Sequence, residues 1–543
     1  MKVLLVNPVL RDTAFYRIFP MRMPCLGIMQ LARLTPEEFE LKLVDEVIGD
    51  YDYENDPFSP DLVGISMVFT SNAARAYEVA DLYRKRGIPV VMGGVHATFM
   101  PEEAKQHADS VCLGEADEIW ATILHAAKAG KLQPFYKAET LPDLAKIEYK
   151  RPNPLLHAPS VDPGVVWDAM TLGQNGNSGL VKKMIRAAGK PFLPLGEKFV
   201  RSWINAPFKG VSAAASPDSP LKKLAGRALS RFSSPILEGF DRLSTSPLGG
   251  YFLKRTIQIE RGCPIDCDFC SVTAFNGRRT RSYRIDQLLK DIDALAGDRK
   301  GVDRFFFLTD DNIVGNPKFA MEFFEALKGL KIHWISQATV QMARNEKLLK
   351  AASDSGCSAI FYGFESLDQD AVYGTGKKFK VQEYEEIIKR THDAGIILLY
   401  GAFIFGLPGD TLAVFDKTAE FCIKNQVEMP QLTTVTPLPG ARLWKTLKES
   451  GAPLPQDWSK YDLVTPSVMP AEWEFFKKNN ITPQQAARLA NKAYKKILSD
   501  EGIRARLSGN HSQASYMNRI VYLMNQALRA IVEIEDANSE EAA

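Results

Sequence analysis

Cys263, Cys267 and Cys270 stand in the run Glu260-Arg261-Gly262-Cys263-Pro264-Ile265-Asp266-Cys267-Asp268-Phe269-Cys270. Three thiolates on one short loop can hold three irons of a four-iron cubane and leave the fourth iron without a protein ligand. An iron left open can chelate a small molecule, as an open metal position does elsewhere. The last two cysteines alone make a C-x2-C pair, shared by zinc knuckles and redox motifs. A structural zinc would need a fourth ligand nearby, and residues 271–290 hold neither Cys nor His. An odd number of thiols does not close a disulfide set. The chain has seven Cys in 543 residues and three of them fall within eight positions, so coincidence is a poor account.

The elements that must position this loop alternate strand and helix. Thr256–Glu260 reads as a strand feeding it, followed by a helix over Ile285–Leu295. Strands are expected at Arg304–Leu308, Ile332–Ser336, Ser358–Phe361, Ile396–Phe405 and Gln431–Val435. Helices are expected between them at Phe319–Leu327, Asn345–Ser353, Val381–Asp393 and Leu412–Lys424. Short apolar strands alternating with amphipathic helices mean parallel βα units. About six units fit, which predicts a partial (β/α)6 barrel. In such barrels function collects at the carboxyl ends of the strands. The cysteine loop, Asp310–Asn312, Gln337, Glu365 and Gly406–Gly409 all fall there. Each has a plainer reading. Gly406-Leu407-Pro408-Gly409 makes a turn, Glu365 can serve a helix N-terminus, and Asp310 and Asp311 can cap the next helix.

The amino-terminal third also alternates. Strands are expected at Met1–Val6, Leu41–Val44, Asp61–Met67, Pro89–Met92 and Ser110–Leu113, with helices at Pro24–Leu34 and Ala73–Arg86. This predicts a doubly wound, flavodoxin-like domain of five parallel strands. Such sheets bind ligands outside the strand carboxyl ends, near the topological switch point. That edge carries Ser66, Thr70, Gly93, Gly94, His96, Gly114 and Glu115. The Gly93–Gly94 pair removes two side chains where something large could lie against backbone, although a tight turn is its ordinary role.

The cysteine run, with Phe269 just before the third cysteine, resembles the signature of the radical S-adenosylmethionine (SAM) superfamily. With Gly93-Gly94 and Gly114-Glu115 upstream, the chain resembles the cobalamin (B12)-binding radical SAM enzymes over about residues 1–140 and 250–465. The resemblance implies a [4Fe-4S] cluster on the three cysteines, with SAM chelated by the free iron and cleaved to a 5′-deoxyadenosyl radical. It also implies SAM contacts among Phe269, Asp310, Asn312, Gln337, Glu365 and Gly406, with Glu365 meeting the SAM amino or ribose groups. Cobalamin is expected along Ser66, Thr70, Gly93, Gly94, His96, Gly114 and Glu115. One departure matters: the Asp-x-His-x-x-Gly run that supplies a lower cobalt ligand is absent. Cobalamin is therefore expected without a His ligand. The implied activity is radical methylation of an unactivated carbon, with methylcobalamin as donor and a second SAM to remethylate it. The alternatives are a radical rearrangement, ring closure or oxidation, and, in another class, an iron–sulfur electron-transfer protein.

Net charge is +2, which gives no nucleic-acid signature. Cys25, Cys112, Cys357 and Cys422 sit in apolar settings and read as buried thiols of a reducing, cytoplasmic compartment. No stretch is long and apolar enough for a membrane span. The expected divisions are 1–140 for cobalamin, 141–250 for a basic linker or insert, 251–465 for the barrel and 466–543 for a helical region. Between Lys182 and Arg231 stand eleven Lys or Arg against Glu197 and Asp218. Leu221, Leu224, Ala228, Leu229 and Phe232 would form one face of a helix there. A basic amphipathic helix can lie on an anionic membrane; a linker folded onto the protein is the other reading. The carboxyl-terminal stripes, Leu489, Ala493, Tyr494 and Ile497, then Met517, Ile520, Val521, Met524, Leu528 and Ile531, suit core packing or a pocket wall. The expected partners are a small-molecule or lipid substrate and a reductant such as flavodoxin or ferredoxin.

Overall fold

The computed structural model describes residues 1–10, 23–160, 250–251, 253–298, 304–463 and 468–508, and seven helical positions between 521 and 532. The basic run from Lys182 to Arg231, with its candidate apolar face, lies outside the described residues, as do Met517, Ile520 and Ile531.

Two parallel sheets organise the chain. The first holds β1 (Lys2–Asn7), β2 (Glu40–Asp45), β3 (Leu62–Ser66), β4 (Val90–Gly93), β5 (Ser110–Leu113) and β6 (Phe135–Lys137), in the order β2-β1-β3-β4-β5-β6. This is the doubly wound, flavodoxin-like order with its switch point between β1 and β3. The expectation of five strands is corrected to six. The three-residue β6 pairs with β5 at Val111↔Phe135, and so short an edge strand carries no periodic signal. Alternate residues of β1 serve opposite faces, as the pleat requires. Val3 and Leu5 join the helices Leu26–Leu34 and Trp120–Lys128. Leu4 and Val6 join the helix Ala73–Lys85.

The second sheet holds β7 (Thr256–Ile257), β10 (Phe305–Leu308), β11 (His333–Ala338), β12 (Cys357–Glu365), β13 (Leu398–Phe405) and β14 (Met429–Thr434), all parallel, in the order β14-β13-β12-β11-β10-β7. A small antiparallel pair, β8 (Glu260–Arg261) and β9 (Arg281–Ser282), brackets the cysteine loop. The strand expected over Thr256–Glu260 is thus broken in two. Local chemistry starts the covering helices. Asn316 accepts the Phe319 N–H ahead of Pro317–Leu327, whose Ala320, Phe323, Phe324 and Leu327 fall on one buried stripe. Asn345 caps Glu346–Asp354 in the same way.

The region after β14 covers the barrel. Thr482 and Gln485 form a reciprocal capping box for Pro483–Ile497. Its Ala486, Ala490, Ala493, Tyr494 and Ile497 are buried, and Tyr494 both donates to and accepts from the Leu432 backbone of β14, at 2.8 and 2.7 Å. Core packing is therefore the role of this stripe. Residues 141–160, expected within the insert, pack on the body: Arg151 Nε donates to the Thr35 carbonyl at 2.9 Å, and Leu144 and Leu155 are buried. Ser160 and Tyr251 form a parallel bridge.

Candidate active site

The cysteine loop is held by backbone contacts at both ends. Gly262 has φ +94°, and a Cβ there would collide with the Arg279 carbonyl, so the turn into Cys263 needs glycine. Asp310 Oδ1 accepts the N–H groups of Ile259 and Glu260, at 3.0 and 2.6 Å. Asp311 Oδ2 accepts from Gly262 N at 3.1 Å and from Asn276 Nδ2 at 2.9 Å. Further along, Asp268 N donates to the Thr375 carbonyl at 3.1 Å, and Leu443 N to the Asp268 carbonyl at 2.9 Å. Arg442 Nη2 donates to the Asp266 carbonyl at 2.8 Å and pairs with the carboxylates of Asp266 and Asp268.

The three thiols act on one another electrostatically inside this frame. Burial pushes the Cys267 thiol up to about 12 and the Cys270 thiol up to about 11, and it raises Cys263 as well. Lys377 works in the opposite direction on all three. Its ammonium pairs with Glu365 and donates to the Gly363 carbonyl at 3.2 Å. Among the described residues no three His, Cys, Asp or Glu side chains converge closely enough for a single metal ion. A cubane makes a different demand, because each thiolate takes its own iron and the sulfurs need not meet at a point. Three thiols on one clamped loop, with a nearby cation and no fourth ligand among the described residues, fit a cluster with one open iron better than a closed zinc site.

The expected SAM set divides. Glu365 and Asn312 are near enough to the cysteines to act on them electrostatically, Glu365 raising the Cys267 thiol and Asn312 lowering that of Cys263. Glu365 has φ +66°, at a register shift between β12 and β13, and this bulge re-aims its side chain. Gln337, next to last in β11, is half-buried, with its carbonyl accepting from Ile313 N at 2.9 Å. Phe269 packs partly on the core. Gly406 has φ +88°, and its carbonyl accepts from Trp473 Nε1 at 2.7 Å. Asp310 needs correction. The residue is fully buried beneath Ile259–Glu260, its Oδ1 accepting from both N–H groups, while Oδ2 has no hydrogen-bond partner among the described residues. Neither Asp310 nor Asp311 caps the next helix, a task that Asn316 performs. Lys377 and Arg442 had no local signal, since their partners lie in other βα units.

On the first sheet's edge, Ser66 and Gly93 sit side by side in register. Gly94 has φ +96°, and its Cβ would lie 2.7 Å from the Met67 carbonyl oxygen. Gly114 has φ +76° with open space where a Cβ would stand, and its N–H donates to Thr98 Oγ1 at 2.9 Å. This open edge, with the exposed Phe69 beside it, suits a large flat ligand. Three expected contacts turn elsewhere. The His96 ring is fully buried, with Trp458 at 4.9 Å edge-on and Thr70 Oγ1 at 3.4 Å. The Glu115 carboxylate is spent on Arg261 and Arg281 of β8 and β9. The Glu115 carboxylate and the Thr70 hydroxyl thus have protein partners, whereas His96 Nε2 has no hydrogen-bond partner among the described residues. The two edges face each other: Phe99 meets Phe275 at 6.4 Å, five residues past Cys270.

Residues 257–422 match the radical SAM superfamily profile, and residues 20–124 match the B12 binding domain. The chain is 27% identical to bacteriochlorophyllide d C-8(2)-methyltransferase of Chlorobaculum tepidum over 81% of its own length and 79% of that protein. It is 26% identical to an uncharacterised methyltransferase of Pyrococcus horikoshii, over 91% of this chain and 92% of that one. In fold it matches the radical SAM methyltransferase TsrM of Kitasatospora setae, solved with tryptophan and a SAM analogue. The TM-score is 0.55 at 13% identity, covering 99% of each chain.

Proposed function

The chain belongs to the cobalamin-binding radical SAM enzymes, and we propose that it methylates an unactivated carbon of a small-molecule substrate. The observation that carries this reading is the meeting of two strand-end edges, one bearing the three-thiol loop and the other the open glycine cradle. The named relative that spans most of the chain is a carbon methyltransferase, which supports the same reaction class. When bound, the cluster supplies an electron to cleave SAM, and cobalamin carries the methyl group.

The chain's own residues hold and orient these groups. Cys263, Cys267 and Cys270 are the iron ligands. Asp311, Arg442 and the Thr375 carbonyl keep their loop in one conformation. Glu365 and Asn312, beside the thiols, are the polar groups placed to meet SAM, with Phe269, Gln337 and Gly406 lining the same strand ends. Ser66, Gly93, Gly94 and Gly114 form the cobalamin edge. His96 gives cobalt no lower ligand, because its ring is packed against Trp458. A working division is 1–140, 141–250, 251–465 and 466–543. A small electron carrier such as flavodoxin or ferredoxin would serve as reductant.

The test is anaerobic, iron-reconstituted protein with dithionite, cobalamin and SAM. It should release 5′-deoxyadenosine, and the variant with all three cysteines changed to Ala should not. Cell extracts with and without the protein should differ by a CH2 unit in one metabolite. Iron-loaded protein that never cleaves SAM overturns the reading. No helix among the described residues is long and apolar enough to cross a membrane. The basic run from Lys182 to Arg231 would add peripheral contact, tested by salt-sensitive binding to anionic vesicles. Absence of binding at low salt retires that part.

A further inference from the structure

A buried cation is unusual unless something holds it. The side chains of Lys377 and Glu365 are 8% and 7% exposed, and they are paired. The fold is built around this pair. Gly363 leaves the space for it: a Cβ there would collide with the Glu365 carboxylate and lie 2.8 Å from Lys377 Nζ. Glu365 takes a left-handed φ of +66°, a conformation unusual for a residue other than glycine. Lys377 follows Gly376, whose φ is +88° and whose Cβ would lie 2.6 Å from the Asp266 carbonyl oxygen. With Asp268 N on the Thr375 carbonyl, these contacts clamp the Lys377 segment to the cysteine loop. The segment that carries Lys377 is thereby held against the cysteine loop by backbone contacts.

Burial works against the Lys377 charge, but the Glu365 carboxylate and the Cys267 thiol outweigh it, and the net direction is upward. The group stays an ammonium. Little water is present to screen it. A cluster's reduction potential depends on local charge and burial, and an added electron is stabilised by a positive charge nearby and opposed by a negative one.

We propose that Lys377 is an electrostatic positioning residue for the cluster, whose fixed charge raises the reduction potential, and that Glu365 moderates that effect. This rests on the assignment of the cluster to Cys263, Cys267 and Cys270. Lys377 touches no reacting atom; it acts through the three thiolates. The two residues should therefore move the potential in opposite directions before SAM is present.

The experiment is a redox titration of the anaerobically reconstituted full chain, followed by electron paramagnetic resonance without SAM, with iron content measured on each sample. Lys377→Met should shift the midpoint to more negative potential. Lys377→Arg should keep the wild-type value. Glu365→Gln should shift it to more positive potential. An iron-loaded Lys377→Met protein with an unmoved midpoint overturns the proposal and leaves the cluster assignment standing. If Lys377→Met holds no iron, Glu365→Gln decides: an unmoved or more negative midpoint overturns the proposal. A wild-type chain that takes up no iron overturns the cluster assignment and this proposal together.

Discussion

Glu115→Ala should destabilise the protein far more than an ordinary surface substitution. Glu115 ends the edge of the first sheet, yet its carboxylate accepts from Arg261 Nη1 at 2.6 Å and pairs with Arg281. Arg261 also holds Asp117 at 2.8 Å and the Tyr283 hydroxyl at 2.7 Å. The side chains of Glu115, Asp117, Arg281 and Arg261 are 3%, 5%, 7% and 11% exposed. Two guanidinium groups thus face two carboxylates with little water present. Removing one carboxylate leaves Arg281 with only the carbonyls of Pro142 and Asn276, at 3.1 and 3.0 Å, among these partners. An uncompensated buried charge of this kind costs about 3–5 kcal/mol.

Urea unfolding is the assay, because guanidinium salt would screen the pair. Loss of coupling between the sheets should lower the urea midpoint of the Glu115→Ala protein. In an Arg281→Met background the same Glu115→Ala change should cost less, with a coupling energy of about 0.5–3 kcal/mol. A loss under about 1 kcal/mol for Glu115→Ala, the range of an exposed pair, would refute the reasoning. So would additivity of the two substitutions.

Gly262→Ala combines a positive φ with a Cβ that collides with the Arg279 carbonyl; iron retained after reconstitution should fall well below wild type, by colorimetric assay. Burial raises Asp410 from 3.8 to about 7. Because the folded value lies above the unfolded one, this group's contribution to stability is full below about pH 4 and gone above about pH 7, a loss of at most about 4 kcal/mol. Asp410→Asn should therefore gain on wild type as pH rises from about 4 to 8, measured as the difference in urea midpoints. His96→Ala opens a cavity against Trp458 and should cost about 2–4 kcal/mol, while the visible spectrum of bound cobalamin stays unchanged. A spectral change without loss of stability contradicts the assignment of His96 to packing.

What the sequence determined by itself is local. Strand–helix alternation and the C-x3-C-x2-C loop rest on neighbours within one turn or one pleat, and spacing alone records them. The wall against which that loop is clamped was decided only by the tertiary structure. Asp310 and Asp311 stood at a strand end, where capping and ligand binding both made sense. They became backbone anchors because Ile259, Glu260 and Gly262, about 50 residues away, bring N–H groups that find no strand partner there. Glu115 lay on a ligand edge by position, yet Arg281, 166 residues on, claims its carboxylate. Lys377 carried no signal because a lysine in the run Gly376-Lys377-Lys378-Phe379-Lys380 is ordinarily solvated. Its charge becomes buried only when β12 places Glu365 beside it and the Asp266 carbonyl closes over Gly376. Periodicity and caps act over a few residues, whereas a buried charge is stabilised by whichever groups the chain's return path sets around it.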